Sequence, residues 1–225
     1  MLQFESTARS DTQLVRLTLR RALTRLSVFG TYVLGWTNSD TDGPYSVPAD
    51  SRTLQGEYGR AASDQRHSVV LGSVFTLPDE WSLSHLLTYG SGRPFNITTG
   101  FDDNGDLLFL DRPGIGSAGA SGVSATSFGL FDLTRAPSEP MIARNAGQGP
   151  SQFMLNVGLA KTVRLAPSSG AGTSGPYVIF TISAENITNR TNFTDFNGVV
   201  TSPLFGIANR ALNPRRVELS ARLGF

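Results

Sequence analysis

Hydrophobic and polar residues trade places one for one along seven separate stretches of this chain. QLVRLTLRR alternates Val15, Leu17 and Leu19 with Arg16, Thr18 and Arg20, and RLSVFGTYVLGW keeps Leu26, Val28, Tyr32, Leu34 and Trp36 in one phase. HSVVLGSVFTL follows less cleanly, with Val69, Leu71, Phe75 and Leu77. WSLSHLLTYG sets Trp81, Leu83, Leu87 and Tyr89 against Ser82, Ser84, Thr88 and Gly90. SQFMLNVGLAKTVRL sets Phe153, Leu155, Val157, Leu159, Val163 and Leu165 against Gln152, Asn156, Gly158, Thr162 and Arg164. YVIFTISAE opposes Val178, Phe180, Ile182 and Ala184 to Thr181, Ser183 and Glu185. VELSARLGF opposes Val217, Leu219, Ala221, Leu223 and Phe225 to Glu218, Ser220, Arg222 and Gly224. A period of two puts alternate side chains on opposite faces, so each stretch predicts a β-strand with one apolar face. No stretch carries a convincing amphipathic helical period. The predicted class is all-β.

The connections alternate in length. Strands one and two join through about residues 22–25, three and four through Pro78-Asp79-Glu80, and five and six through APSSGAGTSGP, residues 166–176. Between these lie long connections, at about residues 38–65, 92–150 and 187–215. Structureless stretches of that length are uncommon in compact soluble domains. Antiparallel outer-membrane barrels have this rhythm, with short periplasmic turns and long extracellular loops. In that frame the last strand runs downward and Phe225 sits at the periplasmic rim. Trp81 and Tyr177 begin upward strands, while Trp36 and Tyr89 lie near upper ends, as expected of two interfacial aromatic girdles. Lys161 interrupts the apolar phase only near the periplasmic end of strand five, where its ammonium can snorkel to water. At the bilayer midplane a lipid-facing lysine would cost about 2–4 kcal/mol. The expected partner of the apolar face is outer-membrane lipid, and the expected location is the bacterial outer membrane.

Composition narrows the alternatives. Net charge is +1 with the basic residues scattered, so no nucleic-acid footprint stands out. The absence of cysteine removes disulfides and Cys-ligated metals. No apolar run approaches the length of a membrane-spanning helix, and MLQFESTARS has neither the basic nor the apolar region of a signal peptide. Seven strands is an odd number, whereas bacterial single-chain barrels have even numbers, and an open sheet would expose two edges to lipid. Residues 1–225 are therefore expected to form one partial barrel domain, the C-terminal part of a larger barrel whose plug and N-terminal strands are absent. MLQFES would be the tail of a preceding strand.

SGRPFNITTGFDDNGDLLFLDRPG (91–114), RNAGQGPSQFMLNVGLAKTVRL (144–165), ENITNRTNFTDFNGV (185–199) and the final RRVELSARLGF resemble the C-terminal barrel of Oar-like TonB-dependent outer-membrane receptors. DQRHSVVLGSVFTLP (64–78) fits the same pattern. The resemblance implies a barrel of about 22 strands with an amino-terminal plug, importing a bulky ligand with energy relayed by TonB. It also implies that Phe225, a terminal aromatic on an alternating strand, is read by the barrel-assembly machinery. Partners expected on this basis are the remaining barrel and plug of the parent receptor, with TonB engaged only through that plug. A Gly/Ser/Ala-rich stretch, roughly residues 117–142, departs from the family pattern.

Candidate chemistry is sparse. DDNGD places Asp102, Asn104 and Asp106 at alternate positions, as in the opening of a calcium loop, but the sixth and twelfth positions are Leu107 and Pro113. The competing expectation is a polar turn at a loop tip. GIGSAG spells GxGxxG without the strand and helix that a nucleotide site requires, and is expected to be flexible loop. Four N-x-[ST] sequons, at Asn96, Asn186, Asn189 and Asn192, are read as side chains that hydrogen-bond a strand end and loop. His67 and His85 share the apolar phase of their strands without a carboxylate nearby in sequence. Glu185 and Glu218 are expected to face inward on adjacent strands, paired with arginines such as Arg222 or Arg16. No nucleophile elbow or HExxH occurs, so no catalytic residue and no cofactor are expected beyond the possible calcium. The leading expectation is barrel wall and surface loops of a receptor-type transporter. A secreted β-sandwich or adhesin-like binding module is the alternative, and an embedded barrel enzyme a third.

Overall fold

The computed structural model describes residues 7–136, 138–166 and 175–225. Among them seven long strands form one sheet: β1 (Ser10–Ala22), β2 (Leu26–Ser39), β3 (His67–Thr76), β4 (Trp81–Gly90), β5 (Gln152–Arg164), β6 (Tyr177–Glu185) and β7 (Arg216–Gly224). Their spatial order is their order in the chain, and every neighbouring pair is antiparallel. β1 and β7 lie at the two edges. The strands match the alternating stretches, with β1 and β2 running a few residues further toward the loop end. The expected tail of a preceding strand, MLQFES, lies outside the described residues, as does most of the APSSGAGTSGP turn. The last turn is nevertheless anchored by the Leu165 amide, which donates to the Pro176 carbonyl at 2.8 Å.

Register decides whether seven apolar stripes make one surface. A slip by a single residue would put one strand's apolar set on the wrong side. None occurs. Val15, Leu17 and Leu19 stand opposite Leu34, Tyr32 and Gly30; Tyr32 stands opposite Val69, and Val69 opposite Tyr89. Leu87 faces Leu155, Leu159 faces Ile182, and Ile182 faces Leu219. The apolar face is therefore continuous across the whole sheet. The other face carries Arg16, Arg20, Thr31, Ser84, Asn156, Ser183 and Glu218, also in phase.

The buried core lies outside this sheet. It sits among the long connections at one end, where Ile97, Phe131, Ile142 and Val200 are buried and Phe95, Phe128, Leu133 and Phe205 pack around them. Short strands organise these loops. Pro94–Phe95 pairs with Gly147–Gln148, Phe193–Phe196 with Ala208–Ala211, and Thr98 bridges Val199. The Gly/Ser/Ala-rich stretch is not formless. Val123–Thr126 and Gly114–Ile115 flank Gly129–Asp132 in a small sheet. The expectation that GIGSAG is flexible loop is thus corrected. Gly114 and Ile115 are strand residues, and a Cβ on Gly116 would meet the Val123 side chain, so glycine here serves close approach.

Candidate functional site

The apolar face has distinct ends. At the short-turn end Lys161 and Trp81 are cross-strand partners, the Lys161 ammonium lies 5.4 Å from the Trp81 ring centroid, and it donates to the Asp79 carbonyl. The only lysine therefore leaves the apolar surface for polar groups of the turn, as snorkelling requires. At the loop end the Arg66 guanidinium covers Trp36, 4.8 Å from its ring centroid. Tyr32 and His67 stack nearby, with the Tyr32 hydroxyl 2.9 Å from His67 Nδ1. Aromatic rings with a polar neighbour at each end are what an interfacial band needs.

Tyr177 departs from its expected place. It begins β6 at the short-turn end, but it pairs with Arg164 and Gly224, which puts it on the polar face rather than in the girdle. Its ring covers Gly224, where a Cβ would collide with it. Phe225, the next residue, has the apolar phase and is exposed. Near mid-strand the apolar face carries one polar pair that the alternation pattern did not reveal: Ser73 Oγ lies 2.9 Å from His85 Nδ1. His85 stands between Ser73 and Val157, so the two polar groups satisfy each other where water is scarce. Ser73 interrupts a stretch whose phase was already uneven, which was its only signal in the sequence.

On the opposite face the charges gather near the sheet edges. Glu185 stands opposite Arg216, and Arg216 Nη2 lies 3.1 Å from Glu218 Oε2. The carboxylates do share one face, but the partner of Glu218 is Arg216, not Arg222 or Arg16 as the sequence suggested. Arg216 lies two residues along β7 on the same face and reaches Glu218 without crossing to another strand.

The loops are tied to each other by buried polar groups. Arg112 and Glu57, both almost fully buried, pair at 2.9 Å, joining the β2–β3 loop to the β4–β5 loop. Arg144 pairs with Asp42 across the same boundary, and Arg60 Nε lies 2.9 Å from buried Asp64. The β6–β7 loop is fixed by its asparagines. Asn192 Oδ1 accepts from the Phe153 amide at 2.7 Å while its Nδ2 donates to the Phe153 carbonyl at 2.9 Å, which secures the start of β5. Asn186 donates to the Arg190 and Asn213 carbonyls, and Asn189 accepts from the Arg215 amide at 3.1 Å. Asn186 and Asn189 have φ of 46° and 51°, a left-handed conformation that asparagine tolerates. The NITNRTNF stretch is a hydrogen-bonding device, as its composition suggested.

The DDNGD loop follows the same logic. Asp102 accepts from the Asp106 and Leu107 amides, each at 3.0 Å, and Asn104 Oδ1 accepts from the Asp106 amide at 3.0 Å. Asp106 accepts from Ser51 at 2.7 Å and Leu108 at 2.9 Å. All three side chains brace the turn, and among the described residues no group of three or more His, Cys, Asp or Glu side chains is set to hold a metal. Burial tends to raise the Asp106 carboxyl, but the Ser51 and Leu108 amides outweigh it and hold the group below the ordinary aspartate value. Burial dominates at Asp111 and pushes its carboxyl up, helped by the charges of Asp103 and Asp106.

A single sheet with one largely apolar face, aromatic rings near both ends of that face and loops tied together at one of them, has the form of a membrane wall. The family model for an outer membrane beta barrel domain matches residues 2–218. The chain belongs to that family. Its location is the bacterial outer membrane; in barrels of this kind the apolar phase of each strand faces lipid and the polar phase the lumen. The comparisons with curated proteins and with solved structures each found no match. The short turns of this barrel wall are periplasmic and its packed loops extracellular. A β-sandwich would need a second sheet against the apolar face; among the described residues the seven long strands make only one.

Proposed function

We propose that this barrel wall belongs to a TonB-dependent receptor-type transporter, and that it serves ligand uptake across the outer membrane as part of a complete barrel. The observation that carries the reading is that, among the described residues, the sheet has two open edges, both formed by strands running downward. Lipid does not tolerate unpaired edge strands, so each edge needs an upward strand beside it, and the rest of a larger barrel supplies them. The loop cap supports a receptor role, since the three extracellular loops present one fixed surface. The segments that resemble Oar-like receptors contribute to this cap: residues 91–114 supply Arg112, residues 144–165 supply Arg144, and residues 185–199 supply the asparagines that fix the last loop. The plug and TonB act through the parent receptor, and the barrel-assembly machinery engages the β7 edge near Phe225, in the manner of strand addition. The reading assigns no cofactor and no catalytic residue.

The test is cross-linking in intact cells. TonB should be recovered with the assembled receptor that contains this wall, and deletion of the plug should abolish that recovery. An assembled barrel containing this wall but neither plug nor TonB contact would overturn the transport reading.

A further inference from the structure

Two cavities lie at the extracellular end of the lumenal face, and one side chain, Arg93, borders both. The larger has a volume of about 540 Å³ and is walled in part by Ser39, Thr41, Asp42 and Ser63. The smaller, about 130 Å³, is walled in part by Gln65, Thr88 and Gln152. Ser39, Thr88 and Gln152 all have the lumenal phase of their strands, so both cavities face the barrel interior beneath the loops.

The charges on these walls are unequal in effect. Asp42 is fully engaged: Oδ1 accepts from the Ala62 amide at 2.7 Å, while Oδ2 takes the Arg144 guanidinium and Asn145 Nδ2. Arg144 is itself buried, so that pair adds little net field. Arg93 is exposed and has no ion pair or side-chain hydrogen bond among the described residues. Its base is fixed all the same. The Gly149 amide donates to the Arg93 carbonyl at 3.0 Å, and the next two residues, Pro94–Phe95, pair with Gly147–Gln148. The neutral groups complete the picture. Gln65 Nε2 donates to the Ser91 carbonyl at 3.1 Å and Gln152 Nε2 to Phe193 at 3.4 Å, leaving both amide oxygens free to accept. The Ser63 hydroxyl is likewise unused among the described residues.

One free guanidinium on a fixed base, set among unused hydroxyl and amide groups, is complementary to an anion that also carries many hydroxyls. We infer that this double cavity binds an acidic oligosaccharide, with Arg93 pairing to a carboxylate and Ser63, Gln65 and Gln152 taking sugar hydroxyls. The inference deepens the uptake reading and rests on it for the ligand's onward path.

The test uses outer-membrane vesicles carrying the protein, with fluorescent oligogalacturonate and a neutral malto-oligosaccharide of equal length as probes. Oligogalacturonate should bind at least about tenfold more tightly, a difference of roughly 1.4 kcal/mol. Arg93→Gln should erase that preference, Arg93→Lys should keep part of it, and Arg210→Gln, an exposed loop arginine, should leave it intact. Equal binding of the two sugars overturns the inference, as does a preference that survives Arg93→Gln. Tighter binding of a polyglutamate peptide than of the sugar also overturns it, because the recognised class would then be an acidic peptide. The uptake reading fails separately: Arg93-dependent binding without TonB-linked import leaves the site standing, and import indifferent to Arg93 removes the site alone.

Discussion

Val157 stands mid-strand on the lipid face between His85 and Ala184, whereas Ala160 is lumenal, between Ser82 and Thr181. An arginine at Val157 must be held in hydrocarbon, at a cost of about 2–4 kcal/mol at the midplane. At Ala160 the same guanidinium reaches a wet lumen past small neighbours. Val157→Arg is therefore expected to lower the amount of folded protein in the outer membrane severalfold at equal expression, and Ala160→Arg to leave it nearly unchanged. Quantitative blotting of purified outer membranes reads the difference. Asn156 would be a poor control, because its Oδ1 accepts from the Asn186 amide and holds the loop above it.

Asp111 gives a pH signature at the same scale. Burial raises its carboxyl in the folded loops, so the folded state keeps the proton at pH values where the unfolded chain has lost it. More protons bound in the folded state means that stability falls as pH rises through this window, and grows as pH drops toward the ordinary aspartate value. Asp106, held low, acts in the opposite sense and loses its contribution only at still lower pH. Local protection of the 99–111 loop, measured by hydrogen exchange and corrected for intrinsic rates, should therefore rise on mild acidification and then decline. Asp111→Asn should flatten the rise.

Among elements, the loop cap depends on its buried charges more than on the sheet. Arg112 and Glu57 are nearly fully buried, and Arg112 also donates to the Gly56 carbonyl at 2.9 Å. Removing one member of such a pair leaves an uncompensated buried charge, which costs about 3–5 kcal/mol. Glu57→Ala is expected to open the β2–β3 and β4–β5 loops to protease while the strands stay protected in the membrane. Cleavage confined to residues 40–66 and 91–151, with the strands recovered intact, checks it. Simultaneous loss of strand protection would mean that cap and wall form one cooperative unit.

The whole molecule is decided by the direction of its edges. β1 and β7 both run downward, so joining them directly, within one copy or between copies, would require a parallel pair in an otherwise antiparallel wall. If the barrel is completed by other strands, those strands begin and end upward and are odd in number. Cysteines placed at Thr18 and Ser220, one on each edge, should then give no cross-link to each other in oxidised outer membranes. A disulfide-linked dimer, or an intramolecular link seen as a mobility shift, would show instead that copies of this chain close the wall among themselves.

The alternation of residues determined most of the wall. A period of two is a local property, so strand identity, the lipid phase and the short-turn rhythm follow from the chain without tertiary contacts, and Lys161 and Trp81 fell where that pattern put them. Tyr177 shows two sequence signals in conflict: its place at the end of a strand suggested a girdle, whereas its position next to Val178 in the alternation already put it on the polar face, where it pairs with Arg164 and Gly224. The cap, by contrast, was hidden. Ile97, Phe131, Ile142 and Val200 have no shared period, and only the folded loops bring them together. The same holds for Arg93, whose surroundings come from loop segments far apart in the sequence, because a cavity is a property of packing rather than of order along the chain.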